Sequence, residues 1–211
     1  MIKKLNNIKS IIFPSKKINY IIISILLLGV ISGSIFSTII DLNDQKLVTD
    51  KIQSFVTNIN TQNLNSITAL KNSITINLSY SIVIWILGMT IIGVLFNIFI
   101  LYLKGFIFGF SLSAFIITYN YKGIILSILY TIFGQLLNII VIMILTIYSV
   151  MFTYNLLKQI IKSKQNITIQ KNFKNYILIF LITIIITLIS SISEAFLFPT
   201  LIKLIIKLFI K

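Results

Sequence analysis

Apolar residues run without a charged position from Ile18 to Ile40, and again from Ser79 to Leu103, from Gly105 to Tyr121 and from Gly123 to Leu157, and a fifth run from Tyr176 to Phe198 carries Glu194 as its one charge. A helix rises 1.5 Å per residue and the bilayer hydrocarbon is about 30 Å thick, so roughly 20 apolar residues make one crossing. This pattern predicts an all-α polytopic membrane protein with about five spans, at 18–40, 79–103, 105–121, 124–154 and 176–198, forming one transmembrane domain. The stretch 105–121 would reach only about 25 Å, so a re-entrant reading of 105–133 stays open beside a full crossing. The fourth run is too long for one upright helix and contains Gly134, Gln135 and Asn138. A kinked or broken span is expected there, because irregular backbone at membrane depth must be buried in protein or line a cavity.

Between these runs lies polar chain. Segment 41–78 is rich in Asn, Ser and Thr and holds Asp41, Asp44 and Asp50. It is expected as an extracytoplasmic loop. Val48, Ile52, Phe55, Val56 and Ile59, then Ile67, Leu70, Ile74 and Leu78, recur at helical spacing, which predicts short amphipathic helices on the surface or extending the next span. After Pro199, Lys203, Lys207 and Lys211 recur every four residues among Leu and Ile. That tail, 199–211, reads as an interfacial amphipathic helix pairing its lysines with anionic head groups.

Composition strengthens the assignment: 57% hydrophobic, 10% charged, mean hydropathy +1.04, against about 25% charged in soluble domains. Cysteine and histidine are absent, which excludes disulfides, thiol nucleophiles, zinc motifs and His-based triads. The chain is therefore expected not to be an enzyme, and neither cofactor nor metal is expected. The net charge of +14 comes from 18 cations that are all Lys and that flank apolar runs. Nucleic-acid binding would favour a soluble basic face with Arg to fork onto phosphate, so topology is the better explanation. With five crossings and a cytoplasmic N-terminus (1–17), the inner face carries 11 Lys and the outer 7; a re-entrant third segment would make this 10 and 8. Positive loops stay inside, and five crossings keep the dense lysine loop 158–174 cytoplasmic.

The candidate residues are few. Gly29, Gly33 and Ser37 form one small-residue series, and Gly105, Gly109 and Ser113 another. Small residues let helix backbones approach in lipid, where no hydrophobic force joins them. Each series joins helices within one subunit or meets a partner or second copy. Glu194 is the only acid in a span, ahead of a bend expected at Pro199. An ionisable group at that depth is a functional candidate, for partner or ion binding, beside a structural role pairing Lys122 or a tail lysine or bonding a neighbouring helix. Lys104 is expected at a span end as a topology anchor with its stem snorkelling to the head groups. Asn97, Gln135 and Asn138 either line a polar path or bond between helices. The three outer aspartates match no EF-hand spacing.

Taken together, the glycine-spaced first span, the run Leu103-Lys104-Gly105-Phe106-Ile107-Phe108-Gly109-Phe110, Gly123, and Ser193-Glu194-Ala195-Phe196-Leu197-Phe198-Pro199 give a chain that resembles the stage II sporulation protein M family. One departure is Gly134-Gln135, where relatives often carry Pro and a polar residue. The resemblance implies a scaffold in the bacterial cell membrane, at the septal and engulfing membranes of sporulating cells. It would recruit two cell-wall hydrolases, the stage II sporulation proteins D and P. The competing reading is a transporter or permease subunit that uses Glu194 and the interrupted fourth span.

Overall fold

The computed structural model describes residues 16–61, 65–161 and 169–209. Among them every regular element is helical: α1 (Lys16–Ile39), α2 (Leu42–Thr61), α3 (Ser66–Leu87), α4 (Gly93–Tyr119), α5 (Tyr121–Leu129), a π-helical turn (Tyr130–Gln135), α6 (Leu136–Ile161), α7 (Ile169–Ile192), a second π-helical turn (Ser193–Leu197) and α8 (Phe198–Phe209). Five continuous runs are long and apolar enough to cross a bilayer: Lys16–Ile39, Ser66–Leu87, Gly93–Tyr119, Tyr121–Lys158 and Asn172–Leu204. The protein is an all-α polytopic membrane protein. Ile21, Leu27, Leu28 and Ile31 of α1 and Leu181, Ile185 and Ile189 of α7 stay exposed. That costs nothing where the surrounding solvent is lipid.

Two apolar clusters organise the molecule. Ile22, Ile84, Leu101, Val141, Ile142, Leu145 and Ile147 join α1, α3, α4 and α6 in the body of the bundle. Val56, Ile59, Phe115, Leu126, Phe198 and Ile202 join α2, the end of α4, α5 and α8. Because α1 leaves the bundle at the end where α2 begins, and α4 finishes where α5 begins, this second cluster caps one end of the spans.

Several expected boundaries move. The run 79–103 is not one span: α3 ends at Leu87 and the chain reverses through 88–92 before α4 begins. The helix tightens there, with Met89 N–H donating to Ile86 O and Thr90 N–H to Leu87 O. The Thr90 hydroxyl oxygen then accepts from Gly93 N–H at 2.9 Å, supplying a partner to the first turn of α4. Apolar side chains on both sides hide this turn from any hydropathy window. Consequently 93–103 and 105–121 are not separate segments, and α4 runs unbroken for 27 residues, about 40 Å. With α4 continuous from Gly93 to Tyr119, no separate segment begins at 105. Lys104 falls in the middle of α4, not at a span end. Segment 41–78 is no loop either, being occupied by α2 and the first turns of α3. Its helical periodicity outweighs its polar composition.

The fifth span is longer than 176–198 and passes through the second π-turn into α8. Pro199 sits one residue inside α8. Its ring would clash with the carbonyl four residues back and it has no N–H to donate; a widened turn immediately before it relieves both. Phe198 N–H reaches back to Ser193 O in that turn. At the start of the tail Ile202 is buried in the cap beside Phe198, while Leu204 stays exposed. Residues 1–15, Lys162, Lys164 and Lys211 lie outside the described residues.

Candidate functional site at the paired π-turns

Helix α3 repeats small polar residues every four positions, Ser73, Asn77 and Ser81, and all three are buried. Four residues is close to one helical turn, so they make a polar stripe on one face. Helix α7 presents Thr183, Thr187, Ser190 and Ser191, each about 1% exposed or less, with Glu194 following. The stripes meet antiparallel. Ser81 Oγ and Thr187 Oγ1 lie 3.5 Å apart, and Asn77 Nδ2 donates to Ser191 Oγ at 3.4 Å. At the end of the stripe the Ser73 hydroxyl donates to Glu194 Oε2 at 2.6 Å, a short charge-assisted bond. Asn77 Nδ2 donates to the same oxygen at 3.2 Å and to Ser73 Oγ at 3.1 Å.

The other carboxylate oxygen points to the fourth span. Gln135 Nε2 donates to Glu194 Oε1 at 3.2 Å, and the Ser193 hydroxyl donates to the Phe133 carbonyl at 2.9 Å. The two π-turns, Tyr130–Gln135 and Ser193–Leu197, therefore face one another and are stapled by two hydrogen bonds. Each inserts an i→i−5 step: Leu136 N–H reaches Thr131 O, and Phe198 N–H reaches Ser193 O. Such an insertion rotates the downstream helix about its axis and re-aims its side chains, which is why π-turns gather at functional positions. Here they bring Gln135 and Glu194 together from helices 59 residues apart in sequence. The site sits between the bundle body and the cap.

Lys104 is half-buried, with Nζ 4.1 Å from the centre of the Tyr80 ring on α3, a cation–π contact. The hydrogen bonds from Ser73, Asn77 and Gln135 account for the acid as a bond between neighbouring helices.

The two glycine series lie in one interface, between the parallel helices α1 and α4. A Cβ on Gly29 or Gly33 would strike the Tyr102 or Phe106 carbonyl, and one on Gly105 or Gly109 the Leu26 or Val30 carbonyl. Each series is therefore covered by the other, and neither is open to a partner. Ser34 Oγ donates across the seam to Gly109 O at 3.1 Å, and Phe36 flanks it, 5.5 Å from the Phe106 ring. Ser37 is buried and donates to Ser34 O, whereas Ser113 is half-buried.

The three amides take separate places and form no common path. Asn97 Nδ2 donates to Ile84 O at 2.9 Å and to Ser149 Oγ at 2.8 Å; Gln135 serves Glu194. Asn138 is 3% exposed, and neither of its side-chain polar atoms has a partner among the described residues. Sequence reasoning missed Ser73, Asn77 and Ser191. The signal for the first two was present in the four-residue spacing, but serine in an apolar helix often bonds only its own backbone. Among the described residues no group of three His, Cys, Asp or Glu could hold a metal ion. Carboxylate, amides and hydroxyls here join three spans and fix their register.

Comparison with known proteins gives one family: the model for Stage II sporulation protein M matches residues 22–199. No curated protein and no solved structure matched the chain. The matched range runs from the first span to Pro199, and so takes in both glycine series, both π-turns and Glu194.

Proposed function

Since the chain belongs to the stage II sporulation protein M family, and is thereby a multi-pass membrane protein of sporulation, we propose that it is a scaffold that holds the cell-wall hydrolases, stage II sporulation proteins D and P, at the septal and engulfing membranes. The observation that supports this reading best is the cap. Helix α2 is packed into it through Val56 and Ile59, while Leu42, Asp44, Lys46 and Asp50 stay exposed. A partner with a folded extramembrane domain needs a surface of this kind, rigid and of mixed polarity. With Lys104 inside α4, the remaining lysines divide ten to seven in favour of the face that carries 1–17 and 158–174, which supports the N-terminus inside and the cap outside the cytoplasm.

Transport through Glu194 is the weaker reading. Both carboxylate oxygens are already engaged by side chains of this chain, so a passing ion would have to break a set of bonds that joins three spans.

Co-purification of a tagged chain from sporulating cells tests the scaffold. The wild type is expected to bring down both hydrolases. Asp44→Lys with Asp50→Lys, a charge reversal at two exposed positions of α2, is expected to cut their recovery at least about fivefold, the factor carried by one lost charge-assisted contact, at unchanged chain level. Recovery of neither hydrolase by the wild type would reject the scaffold.

A further inference from the structure

A groove of about 440 Å³ lies between α2 and α4 in the cap. Leu47, Ile52 and Phe55 form one wall, Phe110 and Phe115 the other, and Tyr130 of the first π-turn closes one side. Its volume falls within the usual range of small-ligand sites. The lining is almost wholly hydrocarbon, and water held there would find few of the polar partners it needs. The α4 wall belongs to the span Gly93–Tyr119, so the groove opens at bilayer depth, where whatever is not protein is lipid.

One cation stands at this groove. Lys51 of α2 borders it and is exposed. Helix α2 begins three residues after α1, the first span, has ended, and Lys51 lies in its third turn. Asp50 is its chain neighbour but points about 100° away around the helix and does not border the groove. An apolar slot in the bilayer with a lysine at its edge that makes no ion pair among the described residues, its same-face neighbour Asp44 lying two turns away, matches a lipid with an acyl chain and a negative head group.

We propose that this groove binds one anionic glycerophospholipid, its acyl chain between α2 and α4 and its phosphate at Lys51. This site depends on the bilayer assignment and on the groove, and not on which proteins the cap meets.

Native mass spectrometry of the full chain in detergent, with phosphatidylglycerol or phosphatidylcholine added, provides the test. Wild type is expected to retain one phosphatidylglycerol per chain in preference to phosphatidylcholine. Lys51→Gln, an exposed change that leaves the fold alone, is expected to lower that preference about fivefold, the effect of one lysine near an anionic surface. Val48→Trp, which pushes an indole into the groove, is expected to abolish retention of both lipids. Equal retention of the two lipids by wild type, or a preference unchanged in Lys51→Gln, would overturn the site. So would dimers that Val48→Trp dissociates, because the groove would then be filled by a second copy.

Discussion

Glu194 shows how one side chain joins three spans. Ser73 and Asn77 of α3 and Gln135 beside α6 all donate to it, so removing the acceptor leaves three donors facing apolar surroundings. Hydrogen bonds between membrane helices average only about 0.6 kcal/mol, because the unfolded chain in lipid also finds partners. Glu194→Leu should therefore cost about 2 kcal/mol, summed over three bonds at that value, and Ser73→Ala about 1 kcal/mol for its single short charge-assisted bond. Unfolding in mixed micelles, read by circular dichroism, checks both. A Ser73→Ala loss as large as that of Glu194→Leu would mean that the bonds do not share the load as drawn. Glu194 could be picked out of the sequence as the single acid within an apolar run. Its partners could not, since nothing in a linear pattern says that residue 73 lies beside residue 194.

At the scale of the element, two kinds of glycine behave oppositely. Gly33 and Gly109 lie where a Cβ would enter the backbone of the facing helix. Neither α1 nor α4 can yield without separating along the seam, so Gly33→Ile and Gly109→Ile are each expected to cost at least about 1–3 kcal/mol, the usual penalty of overpacking. Gly134, within the first π-turn, has only Tyr130 ring carbons near its Cβ position, the closest at 3.5 Å, an ordinary contact. Gly134→Ala should accordingly be neutral or stabilise by up to about 1 kcal/mol, the helix preference of alanine over glycine. Thermal melting of the three variants in one detergent distinguishes them, and a destabilised Gly134→Ala would show that the wide turn needs backbone freedom. Spacing identified the glycine series as packing faces, but it could not say that the two faces meet each other. Pro199 likewise marked a disturbance, and the chain made of it a widened turn, not a break.

The whole molecule is a bundle with one closed end. The α2–α8 contact is central to it: the Phe55 and Phe198 rings stack with centroids 6.2 Å apart, and Ile202 is fully buried beside Val56 and Ile59. Because the chain contains no cysteine, introduced cysteines report without background. Phe55→Cys with Phe198→Cys is expected to be bridged within the chain by a short bis-maleimide, and the bridged chain to migrate faster on a denaturing gel than the unbridged one. A failure to cross-link in folded protein would remove the cap. Five crossings with the N-terminus inside further predict that Asp44→Cys and Lys122→Cys react with a membrane-impermeant maleimide added to intact protoplasts, and that Lys158→Cys does not. The reverse pattern would invert the orientation and move the cap to the cytoplasm.

Solvent and secondary structure were legible in the sequence because both depend on local quantities. A run of some 20 apolar residues is stable in lipid only as a helix, whatever else the chain does, and five such runs make a polytopic bundle. Helical periodicity in 42–59 and the lysine-striped tail were equally local. Turns inside apolar sequence, the register that aligns Ser73 with Glu194, the mutual covering of the glycine faces and the burial of the tail on α2 were decided in three dimensions. Lipid solvates an apolar helix face almost as well as another helix does, so which faces meet depends on backbone fit and on a few buried hydrogen bonds, and those exist only once distant segments have been brought together.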